Sequence, residues 1–244
     1  MVNDSTSVFG YLFPAGECGW RVECYARFLS VDPSAMMVPL AARIECLESA
    51  VHNVRTGLVQ GICVDPSLYS RMAGLVDAVT REASVAGVID TVFADGKTGA
   101  LVGDCSAVKA VTALTGNLDS VEDPVVLFYG NGWETRVAMT ALSGRVTLME
   151  IAGGKSGELD AIPTGCVVEY AGDDEVSPWN FDLVVNPHPS YFPPKGQSVL
   201  PLTLGHVIPF EAMRLAYSVG KFRGLPEKLC VEAAGQYEKL RKQV

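Results

Sequence analysis

Gly130-Asn131-Gly132 is the feature of this chain that most directly invites a chemical reading. It follows the apolar run Val125–Tyr129 and leads into a stretch with helical spacing up to Leu142. After a strand, glycines in this arrangement allow a tight turn. They also let a pyrophosphate approach the N–H groups at a helix N-terminus. Glu150 stands 20 residues beyond Gly130 (150 − 130), the distance at which an acid binds the 2′-hydroxyl of an adenosine ribose. An acid there disfavours a 2′-phosphate, so the expected dinucleotide is NAD rather than NADP. Two neighbours oppose this reading. Trp133 is large where a small residue is usual. Glu134 places a negative charge in the first helical turn, which favours the helix but repels a pyrophosphate.

Other constellations are excluded by spacing. His52, His188 and His206 form no HExxH or comparable ligand pattern, so no zinc site is expected and no metal ligand is assigned. There is no GxSxG elbow. The seven cysteines include no CxxC pair, which points to reduced, mostly buried thiols in a cytoplasmic protein. Cys63 and Cys105 lack an identifiable base partner, without which a thiol is a poor nucleophile.

The elements that must position these residues alternate. Strands are expected at residues 7–12, 36–40, 58–64 and 88–94, and helices at 20–29, 41–54 and 70–86. A connecting helix at 106–114 and a linker at 117–123 precede a second alternation. Its strands are expected at 125–129, 145–151, 166–170 and 181–185, and residues 211–242 read as mostly helical. Such alternation predicts an α/β fold with mainly parallel sheets. The expected division is an α/β domain over 1–105, with C-terminal helices packing back on it, and a nucleotide-binding domain with C-terminal helices over 106–244.

Composition agrees with a globular chain: of 244 residues, 48% are hydrophobic and 19% charged. The formal net charge of −9 would repel a phosphate backbone, so nucleic acid is not an expected partner. The polar start shows no signal-peptide pattern, and no run reaches the length of a membrane span. Oligomeric state is not legible.

Four strings, taken in order, resemble the shikimate dehydrogenase family. Gly61-Ile62-Cys63-Val64-Asp65 is similar to that family's glycine-led strand ending in Asn-Val-Thr. Gly87-Val88-Ile89-Asp90-Thr91-Val92 is similar to Gly-Ala-Val-Asn-Thr-Val. Gly99 to Asp104 looks like the hairpin return that follows. Residues 126–138, with Phe181-Asp182-Leu183-Val184-Val185-Asn186 beyond them, look like the Gly-x-Gly-Gly-x-x-Arg-Ala loop and Asp-Leu-Val-Val-Asn. The order holds from about Val8 to Pro189; the tail after Pro193 matches less well. The resemblance implies an N-terminal substrate domain, a Rossmann-type domain with a parallel sheet, and a cleft between them. It also implies hydride transfer between a nicotinamide and a carbocyclic alcohol.

The same resemblance identifies what has changed. The family's catalytic lysine falls on Tyr69, and its aspartate on Ala107. Tyr69 retains a proton donor and acceptor, and so reads either as a replacement acid or as an aromatic wall; Ala107 has no acid–base chemistry. The paired serines fall on Gly19 and Arg21, the strand Asn and Thr on Cys63 and Asp65, and the next Asn on Asp90. A pocket of Arg21, Cys63, Asp65, Asp90 and Asp104, with Glu17 nearby, has lost the donors that hold shikimate. Its carboxylates suit an amine-bearing or otherwise cationic small molecule, or a metal with oxygen ligands, or else they cap helices or lie solvated at the rim; Asp65, ahead of Pro66, has the sequence of an N-cap. On the cofactor side the implied residues are Gly130, Gly132, Trp133, Glu150 and Asn186, with His188 close by. Three functions fit: a diverged oxidoreductase using NAD on another substrate, a binding protein without turnover and without need of a cofactor, or a lyase or isomerase using the carboxylates.

Overall fold

A strand covered on both faces must be largely apolar, and β1 (Ser7–Pro14) is so after Ser7. In the computed structural model, which describes residues 6–16, 21–29, 35–153, 159, 162–172, 176, 181–188, 195–218, 235 and 237–242, β1 lies between two parallel partners, β2 (Ala35–Ala42) and β3 (Gly61–Val64). Helices α1 (Arg21–Leu29) and α2 (Leu47–Arg55) make the two connections. After β3 come a 3-10 segment (Pro66–Leu75), β4 (Ala78–Val79), α3 (Arg81–Ala86), β5 (Thr91–Ala94) and β6 (Leu101–Asp104). The strand order is β2-β1-β3-β5-β6-β4, with β5 antiparallel to both β3 and β6.

Helix α4 (Ser106–Leu114) leads into a second sheet built from β7 (Val125–Tyr129), β8 (Leu148–Ala152), β9 (Val167–Ala171), β10 (Leu183–Val185) and β11 (Ser198–Leu200), with α5 (Trp133–Leu142) following β7. All its pairings are parallel, in the order β11-β10-β7-β8-β9. Counted from its own first strand, the order is 3-2-1-4-5, that of the doubly wound dinucleotide-binding sheet. The chain forms two compact units, Met1–Ala107 with Leu204–Val244, and Val108–Thr203. Helix α6 (Leu204–Ser218) belongs to the first and packs on α1, β3 and β5. No helix among the described residues is long and apolar enough to cross a membrane.

Several elements differ from the sequence expectation. The single helix expected over 70–86 is broken into three pieces, because its backbone pairs with β6 instead: Asp77 N donates to Leu101 O (2.9 Å), and Leu101 N donates to the Asp77 carboxylate (2.8 Å). Thr80 then caps α3, its Oγ1 accepting from Ala83 N at 3.4 Å. Part of the helix expected over 41–54 is the end of β2 and a 3-10 turn. At the C-terminal side, α6 begins at Leu204, ahead of the expected 211. Pro209 reads as a helix breaker, yet it lies inside this helix.

Gly61 shows how closely α6 approaches the sheet. A Cβ there would stand 2.6 Å from Leu215 Cδ2 and 3.0 Å from the Val92 carbonyl oxygen. Gly61→Ala should therefore lower stability by about 1–3 kcal/mol through overpacking. Equilibrium urea unfolding measures this, and an unchanged midpoint would contradict the packing of α6 on β3.

Candidate functional site

The first unit carries polar and ionisable side chains deep in its core. Strand β1 supplies Tyr11, β3 supplies Cys63, and the residue after β3 is Asp65. The 3-10 segment supplies Tyr69. Asp90 precedes β5, Asp104 ends β6, α1 provides Arg21 and Tyr25, and α6 provides Glu211 and Arg214. Asp65, Tyr69, Asp90, Asp104 and Glu211 are all buried.

Buried carboxylates need partners, and the structure shows which. Asp65 Oδ2 accepts from Tyr11 Oη (2.5 Å) and pairs with the Arg21 guanidinium, while its Oδ1 accepts from Ser67 N and Oγ (3.1 and 2.7 Å). It thus caps the 3-10 segment and neutralises Arg21 together. Asp104 Oδ2 pairs with Arg214 Nε, and its Oδ1 accepts from Thr80 Oγ1 (2.7 Å) and Cys105 N (2.9 Å). The Arg214 guanidinium also lies 4.1 Å from the centre of the Phe93 ring. Asp90 accepts from Ser106 N (2.8 Å) and Ala107 N (2.7 Å), two orphan donors in the first turn of α4, and from Thr91 Oγ1 (3.1 Å). Glu211 Oε2 accepts from Tyr25 Oη, but Glu211 Oε1 has no hydrogen-bond partner among the described residues.

Burial pushes the Asp90 carboxyl up to about 7, against the pull of the Ser106 and Ala107 amides and with help from the charge of Asp104. Burial and the nearby Asp90 raise Glu211 well above the ordinary carboxylate range, while the Tyr25 hydroxyl draws it back. The Tyr69 and Tyr25 phenols and the Cys63 thiol are all raised by burial, then by the charge of Glu211. Cys63 is therefore a protonated thiol, unsuited to nucleophilic work. A carboxyl that titrates near neutrality, as Asp90 does, is matched to proton transfer. Ala107 contributes its amide, not a side chain, and the carboxyl beside it is that of Asp90.

The structure brings the expected Arg21, Cys63, Asp65, Tyr69, Asp90 and Asp104 into this one unit. Asp65 and Asp104, expected to meet a ligand, are instead committed to Arg21 and Arg214. Glu17 and Gly19 lie outside the described residues. Sequence reasoning missed Tyr11, Tyr25, Glu211 and Arg214. One signal was present: Glu211 falls in the buried stripe Leu204, Ile208, Glu211, Leu215 of α6, where an acid is out of pattern.

In the second unit, Gly130 has φ +81°, a conformation that favours glycine, and its N–H donates to Ala152 O (3.1 Å). Gly132 is the N-cap of α5, and Thr135 Oγ1 donates to Gly130 O (2.9 Å), bracing the loop. Trp133 opens the helix, half-buried. Glu150, expected at the end of its strand, is the third residue of β8, with Ile151 and Ala152 after it. It stands between Leu127 and Glu169 in the sheet, and burial and then Glu169 raise its acid. Asn186 follows β10 at φ 52°, and its Oδ1 accepts from Leu202 N (2.7 Å), so its side chain is spent on holding the chain beyond β11. The loops after β7 and β10 leave neighbouring strands at the switch point of the strand order, where ligands bind in such sheets.

Asp90 holds its proton more tightly in the folded chain, at about 7 against an ordinary 3.8. Between those values the native state binds more protons than the unfolded state, so stability falls as pH rises through that window. Glu211 adds to the fall in the same direction. Asp90→Asn should flatten the decline in urea midpoint between about pH 4 and about pH 7, whatever its effect on absolute stability. Parallel declines in variant and wild type would show that Asp90 does not carry the effect.

No protein-family model matches the sequence, and no curated protein does. Solved structures do. A ligand-free 5-ketofructose reductase of Gluconobacter sp. strain CHM43 superposes with a TM-score of 0.72 at 13% identity, over 96% of this chain and 99% of its own. A shikimate dehydrogenase in complex with NADP+ gives 0.73 at 14% identity, over 97% of each chain. A shikimate 5-dehydrogenase from Listeria monocytogenes, in complex with shikimate and NAD, gives 0.61 at 14% identity, over 74% of this chain and 68% of its own. With its Rossmann-ordered sheet and these neighbours, the chain has the fold of the shikimate dehydrogenases and of reductases built like them.

Proposed function

We propose that the protein is a diverged oxidoreductase on the shikimate dehydrogenase scaffold, using NAD in preference to NADP on a small molecule other than shikimate. The observation that carries this is the 3-2-1-4-5 parallel sheet with Gly130, at φ +81°, leading into α5 at the switch point. The solved neighbours with NADP+ or with NAD support a nicotinamide cofactor on this scaffold. When bound, the dinucleotide would supply or accept the hydride. Gly130 and Gly132 would line its diphosphate, Trp133 opens the helix behind them, Asn186 follows the neighbouring strand β10, and Glu150, two residues before the end of β8, would be the acid for the ribose. Ile151 and Ala152 after Glu150 are fully buried, so these two positions offer no cation to a 2′-phosphate.

On the ligand side, the neutralised pairs Arg21–Asp65 and Arg214–Asp104 frame the site, with Cys63 in its wall. Asp90 and Glu211 are the acids left for a ligand's amine or hydroxyl, and Glu211 has an oxygen, Oε1, without a hydrogen-bond partner among the described residues. Tyr69 is the proton donor in place of a lysine, with Asp90 the nearby acid that replaces the missing side chain at Ala107. A second reading, a ligand-binding protein without turnover, is favoured by one feature: burial raises the Tyr69 phenol, which makes it a weaker acid.

Titration calorimetry with NAD and NADP tests the first reading. NAD should bind more tightly than NADP, and Glu150→Ala should weaken NAD several-fold. Silence from both dinucleotides at millimolar concentration would exclude it. Turnover of any member of a panel of cyclic polyols and amino-polyols would remove the second reading. On such a substrate Tyr69→Phe should lower kcat by about 10²–10⁴ while ligand binding persists.

A further inference from the structure

The nucleotide loop already holds an anion of its own. Glu134, the second residue of α5, turns its carboxylate back over the start of the helix, where it accepts a hydrogen bond from its own amide. Glu134 Oε2 also stands close over Gly132, since a Cβ built there would lie only 2.6 Å from it. The space that glycine leaves open above the loop, which a diphosphate needs for its close approach to the backbone, is thus taken by this oxygen. The side chain is half-buried, so water screens its charge only in part.

We propose that Glu134 is an internal competitor for the diphosphate position and so determines which nucleotides the loop admits. The proposal rests on the nucleotide reading of the second unit and adds the residue that limits it. A dinucleotide must displace the Glu134 carboxylate from Gly132 before its own phosphates can reach the helix N-terminus. Two anions cannot share those few donors, because at about 4 Å their repulsion is large even in a partly hydrated environment. The loop is consequently selective against diphosphates. A dinucleotide binds weakly while Glu134 is in place, and a ligand without phosphate is not penalised.

The test compares wild type with Glu134→Ala in the full chain, with inorganic pyrophosphate and NAD as separate probes. Alanine suits the first turn of a helix, and circular dichroism checks that the variant is folded. The expected result is an affinity for both probes at least about tenfold higher in the variant, read by calorimetry, and a thermal shift with pyrophosphate that wild type lacks. If the variant gains affinity for pyrophosphate but neither protein binds NAD, the competitor role of Glu134 stands and the nicotinamide reading fails. If the variant gains nothing for either probe, the proposal is overturned, whatever wild type does with NAD.

Discussion

Asp65, Asp90, Asp104 and Glu211 lie in the core of one unit, and an ionised carboxylate removed from water must be paired, hydrogen-bonded or protonated. The rest of that unit's interior follows from this constraint. Arg21 and Arg214 are drawn from different helices to neutralise Asp65 and Asp104. The amides that open α4 are turned toward Asp90. Tyr11 and Tyr25 aim their hydroxyls inward. Removing one member of such a set leaves an uncompensated charge, so these residues hold the fold as well as shape its chemistry.

The same constraint redistributes chemistry. In the resembling family a lysine and an aspartate would occupy the positions of Tyr69 and Ala107. Here the acid nearest Ala107 comes from the strand side, Asp90, and it is bound to the Ala107 amide at 2.7 Å. Its raised proton affinity is a consequence of burial outweighing two good amide donors. Burial raises Glu211 as well, and one of its oxygens has no hydrogen-bond partner among the described residues.

The second unit answers to a different constraint. A purely parallel sheet needs a crossover between each pair of strands, and strand order then fixes where the chain reverses direction across the sheet. The loops after β7 and β10 emerge at that point, with Gly130 and Asn186 both in the left-handed region. Asn186 uses its side chain to tether the chain after β11, a structural role that its place beside the loop conceals. Glu134 likewise serves the helix it begins while occupying the space above Gly132.

Much of this fold was legible from residues alone. The apolar runs of β1 and β7, the span of α4 and the glycines ahead of α5 carry local signals, because hydrophobic period and turn chemistry are properties of neighbouring residues. The expected helix over 70–86 failed because its hydrogen-bond partner, Leu101, is distant in the chain. The presence of Asp65, Asp90 and Asp104 was readable, but not that Arg21 and Arg214 had already claimed two of them. Glu211 reached the site only through the return of α6 to β3 and β5. Sequence by itself determined the alternating α/β elements and the glycine loop, and it placed Tyr69 and Ala107 where the resemblance implies a lysine and an aspartate. Tertiary structure decided which acids are neutralised, which hold their protons and what stands over Gly132, because charge pairing and desolvation depend on contacts between residues that the chain keeps far apart.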